Sequence, residues 1–167
     1  MTGAKPMLMI RHAQPADAAV IVDLIGELAD YEKLRDQAVA NEADIARSLF
    51  GEAPRVFCEI AEVDGVVAGF ALWFYNYSTF VGRHCIYLED LFVRPEQRGH
   101  GVGKALLSQL AQRCSDENLS RLQWSVLDWN VDAINFYVSL GASVDRQWLA
   151  CRVDGDSLKR LAASARM

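Results

Sequence analysis

The stretch Gln97-Arg98-Gly99-His100-Gly101-Val102-Gly103-Lys104 decides how this chain is read. It follows an apolar run that reads as a strand, and it opens a helical pattern. Glycines allow positive φ and let a ligand approach the backbone closely. A helix start presents free N–H groups with the helix dipole behind them, an arrangement that favours phosphate. Arg98 and Lys104 add positive charge. A nucleotide-hydrolase loop needs four residues between its glycines and then Lys followed by Ser or Thr. Here three residues separate Gly99 from Gly103, and Ala105 follows Lys104. A dinucleotide fingerprint also fails, because the glycines run G-x-G-x-G and Arg94 to Arg98 intervene after the strand.

Outward from the loop, the elements alternate in type. Before it, strand patterns cover 7–11, 56–63, 66–77 and 85–93. Asp64-Gly65 marks a hairpin between the second and third. A helix follows Asp17, with Val20, Ile21, Leu24, Ile25, Leu28 and Tyr31 on one stripe. A weaker helix covers 42–50. After the loop come a helix over 101–118, a strand over 122–127 and a helix over 131–140 closed by Gly141. A last strand over 144–153 and a short helix over 157–163 complete the chain. The antiparallel part comes first and the βαβ-like part second. This implies an α/β mixed sheet flanked by helices, in one domain over 8–163 with a short N-terminal extension, 1–7.

The chain has 167 residues and a net charge of −5, the wrong sign for a general nucleic-acid binder. The surplus is uneven: residues 1–83 hold 7 basic and 12 acidic side chains, whereas 84–167 hold 10 of each. Cys58, Cys85, Cys114 and Cys151 lack C-x-x-C spacing, and the three histidines lack ligand spacing, so no metal site is expected. Neither a secretory leader nor a membrane span is visible, and a cytoplasmic location is expected.

Arg98-Gly99-His100-Gly101-Val102-Gly103 resembles the acetyl-CoA pyrophosphate loop of the GNAT N-acetyltransferase superfamily. The blocks Tyr87-Leu88-Glu89-Asp90-Leu91-Phe92-Val93, Leu127-Asp128-Trp129-Asn130 and Asn135-Phe136-Tyr137 resemble the branch acting on diamines (spermidine, spermine) and thialysine. So do the stretches Glu27 to Leu34 and Tyr77 to Arg83. The resemblance spans roughly 8–160. It implies a sheet whose two central strands splay to admit acetyl-CoA, with a β-bulge in the strand that ends at Val93. It also implies a cofactor site at Leu91, Phe92, Val93, Arg98, Gly99, His100, Gly101, Val102, Gly103, Lys104, Asn130, Ala133 and Tyr137.

The chemistry follows from acetyl transfer to an amine. The ammonium must lose a proton and the departing thiolate must gain one. The resemblance makes Glu89 the base, acting through a water, because a carboxylate of pKa about 4 is a weak direct base for an ammonium near about 10. It makes Tyr137 the general acid, a phenol that is protonated at neutral pH. Tyr31, Glu32, Glu89 and Asp90 would hold a small cationic acceptor, a thialysine-like amino acid or a polyamine. Arg83 is a candidate partner for an acceptor carboxylate. Asn130 reads independently as a helix N-cap. The resemblance also implies a homodimer, with Trp148 and the last strand available for the contact. A protein or peptide N-acetyltransferase and a non-catalytic acyl-CoA-binding module remain as alternatives at this level.

Overall fold

The computed structural model describes residues 6–166, so residues 1–5 of the expected N-terminal extension lie outside the described part. The chain forms two compact units, one ending at Ser125 and one beginning at Val126. The first contains β1 (Leu8–His12), α1 (Ala18–Tyr31), α2 (Glu42–Phe50), β2 (Phe57–Val63), β3 (Val66–Ser78), β4 (Arg83–Val93), α3 (Val102–Asp116) and β5 (Leu122–Gln123). Its strands form one mixed sheet in the order β1-β2-β3-β4-β5. All pairs are antiparallel except β4 with β5. The mixed α/β sheet expected from the sequence is therefore present.

Local chemistry explains the connections. Asp64 and Gly65 both take positive φ, 51° and 78°, as the tight β2–β3 hairpin requires. The start of α2 is fixed by a reciprocal capping box between Asn41 and Asp44. Asp17, just before α1, does not cap it. It instead receives two hydrogen bonds from Arg11 of β1, at 2.7 and 2.9 Å, and ties that strand to the helix start.

Helices cover both faces of the sheet. On one face, Ile21 and Leu24 of α1 and Ile45 and Leu49 of α2 pack on Cys58, Ile60, Phe70, Leu72 and Phe92. On the other, α3 buries Leu106 and Leu110, and its Arg113 lies 5.0 Å from the Trp73 ring centre. Glu59 is buried on that face, with the Arg113 guanidinium of α3 at 3.8 Å and the His12 imidazole of β1 at 3.1 Å.

The second unit holds α4 (Val131–Ser139) and α5 (Gly155–Ala163). Asn130 caps α4 by accepting from Ala133 N at 3.3 Å, as read from the sequence. Gly141, at φ 94°, closes it. Two expectations need correction. The strand over 122–127 is only Leu122–Gln123, and 144–153 contains no strand among the described residues. A strand needs a ladder partner, and here Asp145 accepts from Gln147 N at 2.8 Å, turning the backbone locally. Trp148 and Leu149 are 79% and 86% exposed. No helix among the described residues is long and apolar enough to cross a membrane.

Candidate active site

The site grows from an irregularity in β4. Its register with β3 runs Gly69↔Val93, Phe70↔Phe92, Ala71↔Leu91, Leu72↔Asp90 and then Trp73↔Leu88. Glu89 has no partner position; it is the extra residue of a β-bulge. The bulge implied by the resemblance is present, and it falls on the expected base.

One extra residue reverses the alternation of the strand. Leu88 stands opposite Trp73, on the α3 face, and a regular strand would put Asp90 on the same face. The bulge instead places Asp90 opposite Leu72, which itself stands opposite Cys58, on the face covered by α1 and α2. Backbone groups reverse as well. Before the bulge, Ile86 N donates outward, to Arg121 O of the parallel neighbour. After it, Arg94 N donates back toward β3, to Ala68 O, so Leu91 and Val93 turn their groups outward. The pairing of β4 with β5 covers only Ile86↔Leu122 and Tyr87↔Gln123. Past Tyr87 the two strands part, and the outward groups of Leu91 and Val93 have no ladder partner among the described residues. This open edge suits a ligand that carries amides. Phe92 differs from the expectation for this stretch: its side chain is buried in the core and its backbone pairs with β3.

The glycine loop lies at the end of the open edge. Gly99 and Gly101 take φ 78° and 83°, where residues with a side chain are strained, and Gly101 is the N-cap of α3. A Cβ at either would meet nothing within 4 Å, so glycine is required by conformation and not by crowding. No side chain caps α3, which leaves the first-turn N–H groups of Val102, Gly103 and Lys104 available to an anion. His100 and Lys104 are exposed, whereas the Val102 side chain is buried and offers only its backbone. Uncapped donors, two left-handed glycines and an adjoining strand edge without a ladder partner among the described residues fit a phosphate-bearing thioester with a pantetheine arm.

On the acceptor side, Asp90 lies within electrostatic reach of both Glu89 and Glu32. Burial, followed by repulsion from Glu89 and Glu32, pushes the Asp90 carboxyl up to about 6. Burial also raises the Glu32 carboxyl. The end of α1, which carries Tyr31 and Glu32, is fixed by a fork that sequence reasoning missed. Arg94 donates to Glu27 at 2.9–3.2 Å and to Val67 O at 3.0 Å. The two partners are 67 positions apart, and no local pattern links them.

Arg98 was expected to face phosphate. Its Nε donates to Val93 O at 2.9 Å, and its guanidinium lies 4.9 Å from the Tyr31 ring centre and 5.6 Å from that of Phe92. It therefore leans on the acceptor end of α1. Arg83 opens β4, six positions before Glu89, and donates to Asn118 at 3.2 Å. Six strand residues span about 20 Å, so Arg83 is not beside the acids. In the second unit, Asn130 and Ala133 form the cap of α4. Tyr137 lies on that helix, with its ring centre 5.4 Å from that of Phe136.

Comparison with known proteins agrees with this geometry. A model of the acetyltransferase (GNAT) family matches residues 22–142. The chain is 39% identical to a thialysine N-epsilon-acetyltransferase of Bos taurus, covering 93% of this chain and 97% of that protein. It is 33% identical to an L-ornithine N5-acetyltransferase of Arabidopsis thaliana, covering 96% and 90%. Among solved structures, an integron cassette protein from the mobile metagenome of V. cholerae superposes with a TM-score of 0.78 at 31% identity, covering 96% of this chain and 99% of that one. The chain belongs to the acetyltransferase (GNAT) family, on the branch of the diamine (spermidine/spermine) and thialysine acetyltransferases, and is an N-acetyltransferase that uses acetyl-CoA.

Proposed function

We propose that residues 8–163 form one transferase domain that moves the acetyl group of acetyl-CoA to a primary amine of a small cationic acceptor, by direct attack. The acceptor is a thialysine-like amino acid or a polyamine. The observation that carries this reading is the gathering of Glu32, Glu89 and Asp90 at the bulge, next to a strand edge with outward backbone groups. Three carboxylates at one place attract and hold an ammonium. The names of the relatives from Bos taurus and Arabidopsis thaliana, a thialysine and an ornithine acetyltransferase, support the same acceptor class.

In this reading the loop from Gly99 to Lys104 holds the pyrophosphate, and Leu91 and Val93 hold the pantetheine arm and the acetyl carbonyl. Bound acetyl-CoA supplies an acyl carbon activated by a thiolate leaving group. Glu89 receives the ammonium proton through a water, and Asp90 and Glu32 hold the cation. Tyr31 lines the acceptor. Asn130 and Ala133 contribute to the cofactor site, and Tyr137 returns a proton to the thiolate, by carry-over from the resembled branch. The enzyme acts as a cytoplasmic homodimer, with the exposed Trp148 and Leu149 as contact residues.

The test is free-thiol release from acetyl-CoA across a panel of thialysine, ornithine, lysine, spermidine and a peptide substrate. Turnover of the small amines over the peptide supports the reading. Turnover of the peptide alone, or of none, overturns it.

A further inference from the structure

The position of Arg98 bears on which small amine is bound. Its Nε is committed to Val93 O, and its planar face is committed to the rings of Tyr31 and Phe92. A guanidinium carries five N–H donors in a fixed fork, and one of them is used here. The remaining four sit at the acceptor end of α1, beside Tyr31 and one residue from Glu32. The phosphate function does not require them, because the uncapped first turn of α3 and Lys104 provide donors and charge of their own.

A polyamine offers only cations, and a fixed guanidinium beside its site repels it. An amino acid with a distal amine carries both signs. Its ammonium groups suit the acids, and its carboxylate suits a planar bidentate fork. Resting on the acceptor reading above, we propose that Arg98 is a specificity residue that binds the α-carboxylate of the acceptor. The enzyme would thereby select amino acids with a distal amine over diamines. Lys33, which follows Glu32 and takes a positive φ of 60°, is another cation near this end of α1 and serves as the control, since Arg35 and Arg94 are paired with Asp30 and Glu27.

The experiment compares thialysine with bis(2-aminoethyl) sulfide, the same molecule without its carboxylate. The readout is the ratio of their kcat/KM values, which cancels any effect acting through acetyl-CoA. The unmodified enzyme should favour thialysine. Arg98→Met should reduce that ratio by about 10- to 100-fold, through the thialysine KM, as expected for one charge-assisted pair. Arg98→Lys should restore part of it, and Lys33→Met should leave it unchanged. Folding is checked by matched melting temperatures. An unchanged ratio in Arg98→Met, with loss only in the acetyl-CoA KM, would make Arg98 a phosphate-loop residue and overturn the proposal. So would a selective loss in Lys33→Met. Failure of the unmodified enzyme on both amines overturns the acceptor reading itself, and this inference with it.

Discussion

Replacing Asp90 with Asn should make the protein more stable and the enzyme worse. Burial, then Glu89 and Glu32, lifts the Asp90 carboxyl from 3.8 to about 6. An acid whose pKa is raised by folding destabilises the fold once it ionises. Well below pH 3.8 the carboxyl is protonated in both the folded and unfolded chains, and there is no penalty. Above pH 6 it is charged in both, and the full penalty applies. At about 1.36 kcal/mol per pH unit, the interval from 3.8 to 6 corresponds to about 3 kcal/mol. The same relation gives about 1 kcal/mol at pH 4.5. Asn removes the charge, so Asp90→Asn should gain stability near pH 7.5 and about a third as much at pH 4.5.

For a chain of this size each kcal/mol moves Tm by about 2–4 °C, which sets an upper limit of roughly 6–12 °C at pH 7.5. The assay is thermal unfolding followed by circular dichroism, with both proteins measured at both pH values. The amine KM should rise by about tenfold or more, because one of three cation-holding acids is gone. An equal or lower Tm for the variant at pH 7.5 would refute the electrostatic reasoning, as would a gain of the same size at both pH values.

Other substitutions separate the parts of the site. Tyr137→Phe should lower kcat by about 10²-fold or more while the acetyl-CoA Kd, measured by calorimetry, moves little. Gly101→Ala forces a side chain into φ 83°, at a cost of about 1–2 kcal/mol without any clash. Its acetyl-CoA KM should rise more than its amine KM. Glu27→Gln weakens the fork to Arg94, and a heat scan should show a loss of about 1 kcal/mol, with a raised amine KM as the end of α1 loosens.

Features encoded locally were legible in the sequence. Asp64-Gly65 needs no distant partner to make its turn, and Gly99 and Gly101 specify a left-handed loop by themselves. Asn130 caps its helix within three residues. The bulge was available only through the resemblance, because Leu88, Glu89 and Asp90 in sequence show no excess residue; the excess exists only against Trp73 and Leu72. The strand expected over 144–153 failed because apolar content suggests a strand, but a ladder partner makes one. The contacts of Arg98 with Tyr31 and of Arg94 with Glu27 span 67 positions each, and nothing short of the fold brings them together.

The bulge also explains why base, cation holder and acyl-group donors can share one strand. On a regular strand, Glu89 and Asp90 would face opposite sides, and the outward backbone groups would belong to Leu88, Asp90 and Phe92. The Asp90 carboxylate would then lie on the α3 face, away from Glu32. One inserted residue corrects all three faults, because the side-chain face and the hydrogen-bonding direction share the same period of two. It places Asp90 toward α1, turns Leu91 and Val93 to the open edge, and leaves Glu89 at the point of reversal, outside the ladder with β3. Burial first, and then repulsion among the acids, lifts Asp90 to about 6 there. That repulsion is what a bound ammonium relieves. The instability predicted to vanish in Asp90→Asn and the affinity predicted to vanish with it are therefore two readings of one electrostatic term.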